Sequence, residues 1–151
     1  MIFDPIAVRL EAARSVVRDA AQLALALCPA PGGPTGILKG RQDYLTETDG
    51  AVEALVSRRI QELFPEDGFQ GEENGTTREG GFRWVVDPID GTSNYARGRD
   101  RWCVSLGLLH GDEPVAGVIE APAVGEVFTA QKDKGAFLNG KRIQASPVKD
   151  P

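Results

Sequence analysis

Positions 84–94 read WVVDPIDGTSN. The first half of this stretch is an apolar run typical of a buried β-strand, and it leads directly into two carboxylates, a proline and a glycine. A strand that ends at Asp87 places that carboxylate at the rim of a sheet, where loops meet solvent. Pro88 stiffens the bend, and Gly91 permits a tight turn and lets a ligand approach the backbone closely.

The two aspartates of this stretch indicate a cation site. Asp87 and Asp90 lie three residues apart around the stiff bend, so their carboxylates repel each other unless a cation lies between them. Carboxylates, water and a backbone carbonyl such as that of Ile89 are ligands for Mg²⁺, Mn²⁺ or Ca²⁺ rather than for zinc. A third carboxylate, Glu72, stands in the GEE motif at 71–73.

Each of these motifs has an ordinary alternative. A DPxDG segment taken alone is more often a surface turn, and the acidic pair at 72–73 is more often solvated. The strongly apolar strand before DPIDG and the side-chain oxygens of TSN after it favour a hard-cation site that faces a phosphate.

Upstream, the pattern predicts a long amphipathic helix. Asp4 is a suitable N-cap and Pro5 a suitable first residue, and apolar residues recur at steps of three and four over 6–27. The proline- and glycine-rich segment 29–34 ends this helix.

A second amphipathic helix is predicted after a polar loop. Its apolar face lies within 52–63, and Pro65 ends it. We expect Thr48 or Asp49 to act as its N-cap, since both side chains can accept a hydrogen bond from the first turn.

The rest of the chain alternates apolar runs with turn residues, which is typical of strands. The connections are too short for crossover helices, so the strands should be mainly antiparallel. We therefore expect a single α+β domain over 1–151, with two N-terminal helices packed on a mainly antiparallel sheet. The predicted strands are 82–86, 102–109, 115–120 and 126–131, a short one after 67, and a hairpin of 136–138 with 142–143.

The composition argues against several classes of partner and of catalytic mechanism. The net charge of −5 and the lack of a basic run argue against nucleic acid or an anionic membrane as a partner. Cys28 and Cys103 are interpreted as free thiols in a reducing compartment, which predicts a cytoplasmic protein with no leader or membrane span. His110 is the single histidine, so a Ser/His/Asp or Cys/His nucleophile is not expected.

Taken together, these motifs resemble the inositol monophosphatase family of metal-dependent, lithium-sensitive sugar and polyol phosphatases. The resemblance runs from about Ile6 to Ser146. Family members are much longer chains, and their second half carries a WDxAAG-like motif that supplies a further metal ligand, so we expect this chain to correspond to the first, α+β half. The matching motifs are DxxTxxD at 43–49, GEE at 71–73, DPIDGT at 87–92 with Asn-Tyr at 94–95, and a glycine-rich hairpin at 135–143.

The resemblance implies metal ligands in this sequence. Glu72 and Asp87, with the carbonyl of Ile89, would hold the first Mg²⁺, and Asp87 with Asp90 would hold the second. The family uses two or three Mg²⁺ ions; Mn²⁺ is a possible substitute and Li⁺ an inhibitor. One cation would lower the pKa of a bound water, while another would neutralise the leaving alkoxide.

The resemblance also implies catalytic and substrate-binding residues. Thr92 and Asp49, assisted by Glu72, would position and deprotonate the attacking water. Gly91 and Thr92 would present backbone and hydroxyl groups to the phosphate. The implied substrate-binding residues are Glu72, Ile89, Asp90, Gly91 and Thr92.

The implied function is that of a Mg²⁺-dependent phosphomonoesterase, active as a homodimer on a small polyol or sugar phosphate of the inositol 1-phosphate type. Histidinol phosphate is an alternative substrate. A different reading is a truncated homologue, weakly active or inactive, that acts by binding or oligomerising. At 97–100 the sequence RGRD replaces the proline-containing loop usual in the family, which affects the substrate side.

Overall fold

The computed structural model describes residues 2–30, 38–71, 75–78 and 81–150, and within these it describes no side chains over 38–46 and 75–78. The described residues form three helices and one eight-stranded sheet with the strand order β2-β1-β3-β4-β5-β6-β7-β8. The helices are α1 (Pro5–Leu27), α2 (Leu38–Leu63) and α3 (Thr92–Ala96). The strands are β1 (Gly68–Gly71), β2 (Gly75–Arg78), β3 (Phe82–Asp90), β4 (Cys103–His110), β5 (Glu113–Ala121), β6 (Glu126–Gln131), β7 (Gly135–Leu138) and β8 (Lys141–Ile143).

The first helix matches its sequence prediction. Asp4 is the N-cap of α1, and its Oδ1 accepts hydrogen bonds from the N–H groups of Ile6 (2.9 Å) and Ala7 (3.2 Å). Pro5 takes the first helical position, where its missing N–H costs no intrahelical hydrogen bond.

The predicted start of the second helix is wrong. Helix α2 begins at Leu38, so Thr48 and Asp49 lie inside the helix and are not N-caps. Both residues are buried, at 3% and 8% exposure, although Asp and Thr are weak helix formers. Packing of this helix face against the sheet therefore outweighs local propensity.

The sheet confirms the α+β class and is mixed in direction. β1 pairs with β3 in parallel, and every other described pair is antiparallel. The strand predicted over 82–86 continues to Asp90, and the predicted hairpin forms β7 and β8 around Asn139. Helix α3 was not predicted, since five residues are too few for a periodic pattern.

The main core lies between the sheet and the pair α1 and α2. Val17, Val56, Phe69 and Trp84 are each at most 1% exposed and belong to one apolar cluster. None of the described helices combines the length and the hydropathy that a membrane crossing requires.

A polar network ties the N-terminal end of α1 to the sheet. Arg9 donates to both carboxylate oxygens of Asp67 at 2.8 Å, and Trp84 Nε1 donates to Oδ2 of the same residue at 2.8 Å. The Arg9 guanidinium also lies over the rings of Phe64 (4.8 Å) and Phe82 (4.0 Å). Both oxygens of the buried Asp67 therefore accept hydrogen bonds, three in all.

Candidate functional site

The bend in DPID is a β-bulge at the end of β3. Asp87 pairs in register with Ser105 and Asp90 with Cys103, so two residues of β3 oppose a single residue of β4. A bulge of this kind redirects side chains and is frequent next to active sites. Pro88 lies in it, where its missing N–H removes no ladder hydrogen bond.

The carboxylates of the bulge lie in different surroundings. Asp90 is exposed, whereas Oδ1 of Asp87 is buried and accepts no hydrogen bond from the described residues. A buried carboxylate oxygen without a donor is costly, and a bound cation is one of the few groups that would satisfy it. The Ile89 side chain is 1% exposed and anchors the bulge in the core.

Gly91 turns the chain from β3 into α3. Its φ of 89° lies in the left-handed region, and a Cβ at this position would lie 2.8 Å from the carbonyl oxygen of Arg101. Only glycine fits both constraints without strain. Thr92 follows as the first residue of α3, and its side chain is exposed on the same rim as Asp90.

Contacts beneath this rim hold α3 in place. Asn94 Nδ2 donates to the carbonyl of Arg101 at 2.9 Å, and the ring of Tyr95 meets that of Trp102 edge-on at 4.8 Å. The hydroxyl of Tyr95 donates to the carbonyl of Ala24 at 2.7 Å. The site rim is thereby joined to the C-terminal part of α1.

Helix α2 brings a further pair of carboxylates toward the site. It packs against β3 and α3, which carry Asp87 and Thr92, and Asp49 lies on its buried face. One turn later Glu53 is 1% exposed, and its carboxylate lies where a methyl group on Gly71 would have to sit. Sequence reasoning missed Glu53, although its i,i+4 spacing from Asp49 places both on one helix face.

The predicted residues are partly brought together. Asp87 to Thr92 lie together where β3 ends and α3 begins. Helix α2, which carries Asp49, packs against both of these elements. Glu72 lies outside the described residues, directly after Gly71. Across the part of the chain that the structure describes, no group of three or more His, Cys, Asp or Glu side chains could hold a metal ion.

Cys103 is a neighbour of the site that sequence reasoning assigned only as a free thiol. Its Sγ donates a weak hydrogen bond to Asp90 Oδ2 at 3.9 Å. Burial raises the pKa of Cys103 to about 11, helped by the negative charges of Asp90 and Asp87 and by this hydrogen bond. Pairing of β3 with β4 places Cys103 beside Asp90. The sequence predicts both strands but not the register between them, so this contact could not be predicted.

A groove of about 380 Å³ adjoins the rim. Its lining includes Asp90, Gly91 and Cys103 at the site, and Ile119 and Phe128 of β5 and β6. The groove leads from the carboxylates onto the face of the sheet opposite α1 and α2.

The comparisons with known proteins identify the family and agree with the fold. The profile of the inositol monophosphatase family matches residues 7–150. Inositol monophosphatase 2 of Solanum lycopersicum is 44% identical over 114 residues, which are 72% of this chain and 43% of the relative. A fructose-1,6-bisphosphatase/inositol-1-monophosphatase of Aquifex aeolicus is 38% identical over 113 residues, 74% of this chain and 42% of the relative. The crystal structure of the extragenic suppressor protein suhB of Bartonella henselae superposes with a TM-score of 0.79 at 28% identity, over 93% of this chain and 55% of that one.

The chain belongs to the inositol monophosphatase family. It spans 43% and 42% of the lengths of the two sequence relatives and 55% of the structural one. The resemblance that rested on DxxTxxD, GEE and DPIDGT is confirmed, and these sequence relatives are named as phosphatases.

Proposed function

We propose that this chain supplies the metal- and phosphate-binding part of a Mg²⁺-dependent phosphomonoesterase. Its substrate would be a small polyol or sugar phosphate, of the inositol 1-phosphate type or histidinol phosphate. The observation that carries the proposal is the bulge at Asp87 to Asp90, which holds an exposed carboxylate and a buried, donor-free carboxylate oxygen on one short segment, both acting on Cys103.

The residues present fit a hard cation. Oδ1 of Asp87 lacks a donor among the described residues, and the nearby oxygens are those that Mg²⁺ prefers. Asp87, Asp90 and the carbonyl of Ile89, with Glu72, would hold two or three Mg²⁺ ions, and Mn²⁺ would substitute. When bound, Mg²⁺ supplies positive charge that neutralises the phosphate oxygens and the leaving group.

The remaining steps fall to side chains and backbone of this chain. Gly91 would present its backbone to the phosphate from a left-handed turn, which a side chain pressed against the Arg101 carbonyl would distort. Thr92 Oγ1 would accept a hydrogen bond from the attacking water and orient it in line with the ester bond. Asp49, assisted by Glu72, would take the proton of that water.

We further propose that the protein is a cytoplasmic homodimer. The support for the compartment is that both cysteines, Cys28 and Cys103, are free thiols. Sedimentation equilibrium would test the dimer, and a monomer at all concentrations would reject that part of the proposal.

The metal site is tested by isothermal titration of Mg²⁺ into the wild-type chain and two variants. We expect Asp87→Asn to weaken Mg²⁺ binding by more than about tenfold. Even mutation of a residue that only hydrogen-bonds to a metal ligand typically lowers metal affinity by about 10–100-fold. Asp100→Asn is the matched control, since Asp100 lines the same groove and is exposed but is not a proposed ligand. Equal affinities of all three proteins, or no binding, would contradict the assignment.

The activity is tested by phosphate release from inositol 1-phosphate and from histidinol phosphate in Mg²⁺. We expect release that Asp90→Asn and Thr92→Ala abolish, that Asp100→Asn retains and that Li⁺ inhibits. Mg²⁺ binding without any release would keep the metal assignment and reject the catalytic role for this chain.

A further inference from the structure

A second cavity, of about 510 Å³, lies between α1 and strands β5 to β7, away from DPIDGT. It forms where the sheet extends beyond the cover of α1. Its volume falls in the range of small-molecule sites, about 300–1,000 Å³. None of the residues proposed above for metal or phosphate lines it.

Glu120 of β5 lines this cavity and is only 7% exposed. Among the described residues, none donates a hydrogen bond to its carboxylate or forms an ion pair with it. Burial raises the pKa of Glu120, and the positive charge of Arg18 opposes this shift. Its carboxylate therefore takes its hydrogen bonds from water or from a ligand in the cavity rather than from the described protein.

Arg18 of α1 lines the same cavity. No carboxylate of the described chain forms an ion pair with Arg18, although its positive charge lowers the pKa of Glu120. Arg14, one turn earlier on the same face, differs because its Nη1 already pairs with Glu11 at 3.3 Å. The cavity therefore presents an exposed arginine and a largely buried glutamate, and neither forms an ion pair with a described residue.

Apolar side chains form the rest of the wall. Leu10 contributes from α1, Val127 from β6 and Phe137 from β7. Val127 and Phe137 are half-buried, so an apolar group placed between them and Leu10 would be removed from water.

We infer that this cavity binds a small zwitterion with an apolar side chain, with its ammonium group on Glu120 and its carboxylate on Arg18. A free apolar α-amino acid has this chemistry. The apolar chain would contact Leu10, Val127 and Phe137. The site is separate from the proposed phosphatase centre, so it stands or falls independently of that activity.

The test is a titration of L-leucine and L-phenylalanine, followed by amide chemical shifts in ¹H–¹⁵N spectra of the whole chain. We expect saturable shifts centred on α1, β5 and β6. Arg18→Ala and Glu120→Gln should each weaken binding by about tenfold or more, because each removes a hydrogen bond to a charged group. Arg58→Ala is the control, since Arg58 is an exposed arginine of α2 outside the cavity.

Two further probes separate the zwitterion from simpler ligands. Acetate offers only the anion and butylamine only the cation, so both should bind more weakly than leucine. Equal binding of either probe, absence of shifts with both amino acids, or unchanged affinity in Arg18→Ala would overturn the inference. Far-UV circular dichroism checks folding, and Arg18→Ala is the decisive variant if Glu120→Gln does not fold.

Discussion

At the scale of single residues, Asp67 shows how burial changes the value of an ion pair. It is 3% exposed and accepts two hydrogen bonds from Arg9 and one from Trp84, so removing it would leave three N–H groups without this partner. Asp19 also pairs with an arginine, Arg59, but is 49% exposed. Exposed pairs are worth little, because solvent already satisfies both charges.

We therefore expect Asp67→Ala to lower the free energy of unfolding by about 3–5 kcal/mol, the cost of breaking a buried pair. Asp19→Ala should cost no more than about 1 kcal/mol. Urea titration followed by tryptophan fluorescence measures both values. Similar losses for the two variants would contradict the role given to the buried network.

Glu120 makes the stability of the fold depend on pH. Because burial raises its folded-state pKa above the ordinary value of 4.5, the protonated form is the one that the fold favours. The contribution of Glu120 is fully present below the unfolded-state pKa and is lost as pH rises through the folded-state value. The glutamine in the Glu120→Gln variant cannot ionise, so the variant does not lose this stability as pH rises.

The free energy of unfolding of the wild type, relative to Glu120→Gln, should thus fall as pH rises from 4.5 toward neutrality. Urea titrations of both proteins at a series of pH values measure the difference. A difference that does not vary with pH, or that moves in the opposite direction, would reject the raised pKa.

At the scale of elements, the turn from β3 into α3 depends on Gly91. Gly111 is a useful comparison, since it also has a positive φ, 62°, but a Cβ there would meet nothing within 4 Å. A Cβ on Gly91 would instead lie 2.8 Å from the Arg101 carbonyl oxygen and 3.3 Å from Trp102 Cα. The two glycines share the backbone constraint and differ in the space around it.

Gly111→Ala should therefore cost about 1–2 kcal/mol, the penalty of a left-handed residue with a Cβ. Gly91→Ala should cost more than that, and it should weaken Mg²⁺ binding, which Gly111→Ala should leave unchanged. Urea titration and calorimetry measure the two effects. Equal costs and equal Mg²⁺ affinities would show that the crowding at Gly91 does not shape the site.

Elements with strong local signals were predictable from the sequence. Asp4-Pro5 and the regular apolar spacing gave α1, and alternation between turn residues gave the strands. Helix α2 was predicted ten or more residues short because its N-terminal part carries glycine, threonine and aspartate, which are weak helix formers. At Thr48 and Asp49, burial of the helix face, which a local pattern does not contain, overrides these preferences.

Some contacts of the candidate site were likewise predictable from the sequence, and others were not. Asp87 to Thr92 are consecutive in the sequence, so their closeness in space could be predicted without knowing the fold. The approach of Cys103 to Asp90 and of Glu53 to Gly71 depends on strand register and helix docking. Register is set by pairing across the sheet, and a one-residue change would move each side chain to the other face.

At the scale of the whole molecule, the helices and the sheet share one core. Trp84 of β3 stacks on Phe64, just beyond α2, with ring centroids 5.9 Å apart, and it donates to Asp67, which Arg9 of α1 holds. Neither helix can leave the sheet without exposing this tryptophan. We therefore propose that the chain folds as one cooperative α+β unit.

This proposal predicts that loss of helix and loss of tryptophan burial coincide during unfolding. Circular dichroism reports α1 and α2, while fluorescence of a Trp102→Phe variant reports Trp84 alone. The variant is suitable because Nε1 of Trp102 has no partner among the described residues, so phenylalanine removes no hydrogen bond there. Coincident urea midpoints in the variant are the expected result. If the helical signal falls first, α1 and α2 form a separate unit, and the stability measured with fluorescence belongs to the sheet alone.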